Sequence, residues 1–316
     1  MPHISKRQNV LNALEKMQMM VLAVPFIKVL VPYLDKLIYV LRNTRYLKCR
    51  KTKKKKRARM NLQFINDIDS DHANTDLRMS RGTFKYLVSK IEDHPIFKTT
   101  NKKQQCDVSF QLEVFLMYLC SAGDSGSYYR ISQNYGIGEG TVYSYIRRCS
   151  EAVMSLQTQA IWWPGPTERE LIRQDIEKEI GIKGAVGIID GTTFRLLWKP
   201  QLDAETYFSW KSIYCISAQV VCDANRLVRA FHVGFPGSVH DSRQFQSMKI
   251  WKNRNKYFSA GEFLLGDAAY AASHVMVHPY KKPANALPEN AFFNMKLSSV
   301  RIRIEHCIGM IKAQFG

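Results

Sequence analysis

Residues 184–195, with the sequence GAVGIIDGTTFR, most strongly constrain what this chain can fold into. The apolar run at residues 185–189 has the length and the valine and isoleucine content of a buried strand. Gly191 and Thr192 are predicted to end that strand directly after Asp190. Asp190 is therefore expected at the mouth of a rigid element, where its carboxylate faces solvent or a ligand.

A second apolar run, in EFLLGDAAY at residues 262–270, also leads into an acidic residue, Asp267. Residues 298–315 are predicted to form a helix that begins at a Ser298 or Ser299 cap and carries Glu305. The apolar stripe of this helix consists of Val300, Ile304, Cys307, Ile308 and Ile311.

Two strand-end aspartates and one helical glutamate offer the carboxylate oxygens that divalent metal ions bind. Two such ions activate a water molecule and stabilise the leaving oxygen in phosphodiester cleavage. A second interpretation stays open on spacing alone. Asp190 and Gly191 would form an ordinary turn, and Glu305 would form a helical ion pair with Arg301.

Four blocks between about residue 180 and residue 316 carry a family resemblance: IIDGTTF, WKSIYCISAQVVCDANRLVRAFHVGFPGSVHDSRQF, FLLGDAAY and VRIRIEHCIGMIKAQF. They resemble the nuclease domain of PIF/Harbinger transposases and their domesticated relatives, in the DDE superfamily with an RNase H-like fold. The resemblance implies that Asp190, Asp267 and Glu305 are the catalytic D, D and E, with Mg²⁺ or Mn²⁺ as cofactor. Asp241 matches a further acidic position of that family and joins the expected metal ligands.

The same resemblance implies partners and an activity. Such transposases excise elements with terminal inverted repeats from DNA and often act with a Myb-like DNA-binding protein, and a homo-oligomer is a further expectation. Relatives usually continue past the position of Gly316, so the domain is expected to be truncated at its C-terminus. The alternative function is a domesticated, catalytically silent DNA-binding protein.

The predicted fold class is α/β, with an RNase H-like mixed sheet and flanking helices at residues 184–316. An all-helical helix-turn-helix domain is predicted at residues 75–160, and residues 161–183 form a joint. Residues 1–60 are expected to be a helical leader and a basic linker.

The helix-turn-helix prediction rests on residues 129–153. A short helix is followed by the turn Gly136-Ile137-Gly138 and a second helix. The second helix of such a unit enters the major groove of DNA. The candidate DNA contacts on it are Thr141, Tyr143, Ser144, Arg147 and Arg148. A plain helical hairpin used for packing is the alternative.

Positive charge supports a nucleic-acid partner. The chain has 46 Lys and Arg against 27 Asp and Glu, a net charge of +19. Residues 48–59 contain nine of the basic residues and predict a disordered linker, a nuclear-import signal or a phosphate-binding arm. The expected location is the nucleus. Further candidate phosphate contacts are Lys281, Lys282, Arg301 and Arg303.

Residues 8–47 are rich in apolar residues at helical spacing, which is a feature of membrane-spanning helices. Lys28, Asp35 and Lys36 interrupt this stretch, as do Pro25 and Pro32, and no uninterrupted run of about 18 apolar residues remains. No stable membrane span is therefore expected, and one or two amphipathic helices are predicted. Membrane-surface attachment remains the alternative.

Overall fold

The computed structural model describes residues 6–23, 30–43, 77–98, 104–121 and 126–315. The chain divides into two compact units, Met1–Arg57 and Ala58–Gly316. The predicted basic linker at residues 48–59 lies outside the described residues.

The first unit contains two helices, α1 (Lys6–Ala23) and α2 (Val31–Asn43). Their ends are joined by hydrogen bonds, since the Arg7 guanidinium donates to the Leu41 carbonyl oxygen at 2.7 Å. Arg42 forms an ion pair with Glu15 at 2.8 Å. No helix in the described residues has both the length and the apolar character that crossing a membrane requires.

The second unit begins with a helical part. Its helices are α3 (Arg81–Ile91), α4 (Val108–Cys120), α5 (Tyr128–Asn134), α6 (Glu139–Ser155) and α7 (Gln157–Ala160), with a short 3₁₀ turn at Pro95–Phe97. The side chains of α4 are almost entirely buried from Phe110 to Leu116, so this helix forms the centre of the helical part. Phe84 of α3 and Cys149 of α6 pack into the same core as Leu112 of α4.

One buried side chain of α4 is acidic. Glu113 is 2% exposed, and its Oε1 atom has no hydrogen-bond partner among the described residues. Burial raises the pKa of Glu113 to about 7, while the Tyr135 hydroxyl acts in the opposite direction. The folded state therefore binds this proton more tightly than the unfolded chain does.

Stability should consequently fall as pH rises from about 4.5 to about 7, the interval between the unfolded and folded pKa values of Glu113. Glu113→Gln, a neutral substitute of equal size, should raise the free energy of unfolding at pH 8 by about 2 kcal/mol. Guanidinium unfolding at pH 5 and pH 8 measures both effects. If Glu113→Gln raised the free energy of unfolding more at pH 5 than at pH 8, the raised pKa of Glu113 would be contradicted.

The rest of the second unit is built on a sheet. The described residues contain five strands, β1 (Ala185–Arg195), β2 (Cys215–Cys222), β3 (Val228–Pro236), β4 (Phe263–Leu265) and β5 (Met276–Val277), in the order β3-β2-β1-β4-β5. Strands β1, β2 and β3 pair antiparallel, whereas β4 pairs parallel to β1 and β5 parallel to β4. The prediction of a mixed α/β fold with flanking helices is confirmed.

Helices cover both faces of the sheet. One face packs against α8 (Pro166–Ile180) and the long helix α13 (Pro288–Phe315), through side chains such as Ile176, Ile188 and Ile304. The other face packs against the segment from α10 (Asp241–Ser247) to α12 (Arg254–Tyr257), with α11 (Lys249–Lys252) between them. Ile189 and Phe245 lie in this second core. A four-residue helix, α9 (Ala204–Tyr207), lies between β1 and β2.

Three local predictions are wrong. Strand β1 does not end at Asp190 but continues to Arg195, because residues 190–195 pair with β2. Helix α13 begins at Pro288, ten residues before the predicted cap, and the Ser299 hydroxyl instead donates to the Lys296 carbonyl oxygen within the helix. Ile311 is 37% exposed, so it does not belong to the buried stripe of α13.

Candidate active site

Asp190 and Asp267 lie at the same level of two neighbouring strands. The parallel register pairs Ile188 of β1 with Leu265 of β4, and each aspartate stands two residues beyond its member of that pair. The two apolar runs that end in acids are thus side by side in the sheet. Asp267 is fixed locally, since its Oδ1 accepts a hydrogen bond from the Ala269 amide at 2.8 Å.

Asp241 reaches the same place from the first turn of α10. The Nε2 of Gln219 donates to its Oδ1 at 2.7 Å. A side chain at Gly191 would collide with Asp241, because an added Cβ would lie 2.2 Å from that Oδ1. Successive residues of a strand point to opposite faces of the sheet. Asp190 therefore points toward Arg301 of α13, and Asp241 lies over the opposite face of β1, next to Gly191. Gly191 is therefore required for the close approach of the acids.

Two buried polar residues support this arrangement. Gln219 is fully buried, and the Tyr270 hydroxyl donates to its Oε1. This bond orients the amide of Gln219 so that its NH₂ group points at Asp241. Sequence reasoning did not single out Gln219 or Tyr270. A lone glutamine within the apolar run at residues 215–222 was the available signal.

Proximity and burial disfavour the charged form of these carboxylates. Burial raises the pKa of Asp190 to about 6, assisted by Asp267 and Asp241 and opposed by Arg301. The pKa of Asp241 is also raised, chiefly by burial and further by Asp267, against the hydrogen bond from Gln219. The Arg301 guanidinium lies 3.7 Å from Asp190 Oδ1 and compensates part of the negative charge. Such a cluster is typical of sites that bind a cation.

The three aspartates line one pocket of about 610 Å³. Its cationic and aromatic lining includes Lys211, Lys312, His240, Phe208 and Trp210. Nδ1 of His240 accepts a hydrogen bond from the Ser242 amide at 3.3 Å and so caps helix α10. The pocket is thus lined by acidic side chains together with basic and aromatic ones.

Glu305 does not line this pocket, and its side chain is exposed. It stands on α13 four residues after Arg301, which lies beside Asp190, and seven before Lys312, which lines the pocket. Residues at such spacings share one face of a helix, so Glu305 lies on the side of α13 that faces the acids. Among the residues that the structure describes, no group of three or more His, Cys, Asp and Glu is arranged to hold a metal ion.

The predicted phosphate contacts lie in three places. Arg301 lies beside Asp190, whereas Arg303 contacts Glu179 and donates to the Ala224 carbonyl oxygen. Lys281 and Lys282 are exposed in the connection after β5.

The five candidates on α6 differ in exposure. Tyr143 is 54% exposed and Arg147 is exposed beside Glu151 at 3.8 Å. Thr141, Ser144 and Arg148 are half-buried. The Ser144 hydroxyl bonds to the carbonyl oxygen one turn earlier, and Arg148 donates to a glutamine of α4. Tyr143 and Arg147 are thus the members of this set most available to a partner.

Comparison with known proteins gives a match to the part of the chain that contains these acids. Residues 189–316, about two fifths of the chain, match the family model described as DDE superfamily endonuclease. The matched range contains Asp190, Asp241, Asp267 and Glu305. No curated protein and no solved structure gives a match.

Proposed function

We propose that this protein is a divalent-metal-dependent DNA endonuclease of the transposase type that cuts phosphodiester bonds at the acid pocket. The observation that carries the proposal is the meeting of Asp190, Asp241 and Asp267, from three separate segments, in one pocket. The match of residues 189–316 to DDE superfamily endonucleases supports it. The net charge of +19 supports DNA as the partner.

The donor set fits Mg²⁺ or Mn²⁺ in chemical type, because carboxylate oxygens are the ligands that such hard cations prefer. Asp190, Asp241 and Asp267 would hold the metal, with Glu305 as the remaining carboxylate. A bound divalent metal would make a water molecule more acidic and stabilise the departing 3′ oxygen. The Gly191 amide, which donates to Asp190 Oδ1 at 3.0 Å, and Gln219 keep two of these carboxylates in position.

Within this proposal the sheet is RNase H-like and the family is PIF/Harbinger. The order β3-β2-β1-β4-β5, with three antiparallel strands followed by two parallel ones, supports the fold assignment. The resemblance of the four sequence blocks supports the family. We extend the proposal to a nuclear location, which the basic run at residues 48–59 supports, and to a Myb-like DNA-binding partner, which the resemblance supports. The proposal also includes a homo-oligomer.

We also propose that α5 and α6 act as a helix-turn-helix that binds DNA. The two helices are joined by residues 135–138, in which Gly136 has a φ of 63°. The Ile137 amide donates to the Ser132 carbonyl oxygen at 3.1 Å and closes the turn. Exposed Tyr143 and Arg147 near the start and middle of α6 would face the duplex.

Nicking of supercoiled DNA by the full chain tests the endonuclease proposal. We expect conversion to the open-circular form with Mg²⁺ or Mn²⁺ and none with EDTA, since the acid pocket needs the cation to approach phosphate. Cleavage that persists in EDTA would contradict metal dependence. DNA binding without cleavage in either metal would favour the catalytically silent DNA-binding protein instead.

A further inference from the structure

The segment between β1 and β2 exposes two tryptophan side chains, one of which lines the acid pocket. Trp210 is 87% exposed and Trp198 is 79% exposed. An exposed tryptophan leaves much apolar surface in water, and such surface at a pocket is available to a ligand. Of the two, Trp210 lines the acid pocket.

Trp210 is presented by a tight turn. The Ser209 amide donates to the Ile213 carbonyl oxygen, and the Ser212 amide donates back to the Ser209 carbonyl oxygen, both at 2.9 Å. Ser212 has a φ of 58°, which closes the turn around Trp210 and Lys211. Ser209 itself is buried. The tryptophan is therefore held outward by an ordered backbone.

The base of this turn is also fixed. Phe208 and Tyr214 form an antiparallel bridge, and their rings lie 5.2 Å apart. The Ser238 amide donates to the Thr206 carbonyl oxygen at 3.1 Å, which ties the segment to the loop that leads into Asp241. The position of Trp210 relative to the acid pocket is thus determined by contacts on both sides.

Cations accompany the exposed ring. The Lys211 Nζ lies 5.1 Å from the centre of the Trp210 ring. Lys312 lines the same pocket, and its pKa is lowered first by burial and then by repulsion from Lys211. Two neighbouring lysines that repel each other in one pocket provide a place for a phosphate.

We propose that Trp210 stacks on an unpaired nucleobase of the strand that is cut, while Lys211 holds an adjacent phosphate. The inference rests on the proposed endonuclease function and adds the state of the substrate: a strand with a base outside the duplex stack. Base faces inside a duplex are covered by their neighbours, so only an unpaired base offers a face to an isolated ring. Stacking of this kind tolerates any base, because every base has an aromatic face.

Binding of labelled DNA by the full chain in EDTA tests this inference separately from cleavage. The probes are an oligothymidine strand of about 20 nucleotides and a duplex of the same length, followed by fluorescence anisotropy. Trp210→Ala should weaken single-strand binding by roughly tenfold and change duplex binding by less than about twofold. Trp210→Phe should retain most of the affinity. Trp198→Ala, the matched exposed tryptophan outside the pocket, should leave both affinities unchanged.

Three results would overturn the inference: no loss in Trp210→Ala, an equal loss for strand and duplex, or an equal loss in Trp198→Ala. A smaller oligomer for Trp210→Ala by light scattering would assign the ring to a protein contact and also overturn it. Failure of the wild type to nick supercoiled DNA would count against the endonuclease proposal alone, because the affinities in EDTA do not depend on cleavage.

Discussion

Asp190→Asn is expected to reduce metal-dependent nicking of supercoiled DNA by about a thousandfold, because it removes several kcal/mol of charge stabilisation from the pocket. Asparagine keeps the shape of the side chain and an oxygen that can accept from the Gly191 amide, as Asp190 does. It lacks the negative charge that a divalent metal requires. Rates of open-circle formation with Mg²⁺ and with Mn²⁺ measure the effect.

The variant should remain folded and bind DNA. Burial raises the pKa of Asp190 to about 6, so its ionised form lowers the stability of the fold at neutral pH. Neutral asparagine removes that cost, and thermal unfolding at pH 7.5 should show no loss of stability. Asp175→Asn is the matched control, an exposed aspartate on α8. Nicking by Asp190→Asn at the rate of the control would show that Asp190 does not take part in cleavage.

The sequence best predicts the position of a site residue that directly follows an apolar, strand-forming run. Asp190 and Asp267 each follow an apolar run, and the parallel register of β1 with β4 brings the two acids level. The register itself depends on long-range pairing, which residues 185–189 and 263–265 alone do not specify. The adjacency of the two acids was therefore expected from their shared pattern and from the family resemblance.

Residues that act across strands were harder to recognise. Gln219 matters because it pairs with Gly191 across β1 and β2 and reaches Asp241, which lies 22 residues further along the chain. Nothing local to Gln219 indicates this partner. The start of α13 was missed for a similar reason. Ser299 resembles a helix cap in sequence, yet the helix already begins at Pro288. The Ser299 hydroxyl therefore lies inside the helix, where it donates to the Lys296 carbonyl oxygen.

A buried ion pair holds the strand that carries Asp267. The Nε of Arg169 on α8 lies 2.8 Å from the Oε2 of Glu262, and the two side chains are 6% and 4% exposed. The guanidinium also donates to the Pro164 carbonyl oxygen at 3.0 Å, and Glu262 accepts from the Ser259 amide at 2.7 Å. Glu262 directly precedes β4, so this pair joins α8 to the strand that ends before Asp267.

Arg169→Met should lower the free energy of unfolding by about 3 to 5 kcal/mol, because it leaves the buried Glu262 carboxylate without its counter-charge. Arg173→Met on the same helix removes a more exposed pair with Glu170 and should cost less than about 1 kcal/mol. Urea unfolding at pH 7.5 measures both. Arg169→Met combined with Glu262→Leu should recover part of the loss, since no unpaired charge is then buried. Equal losses in the two single arginine variants would contradict this account of how β4 is anchored.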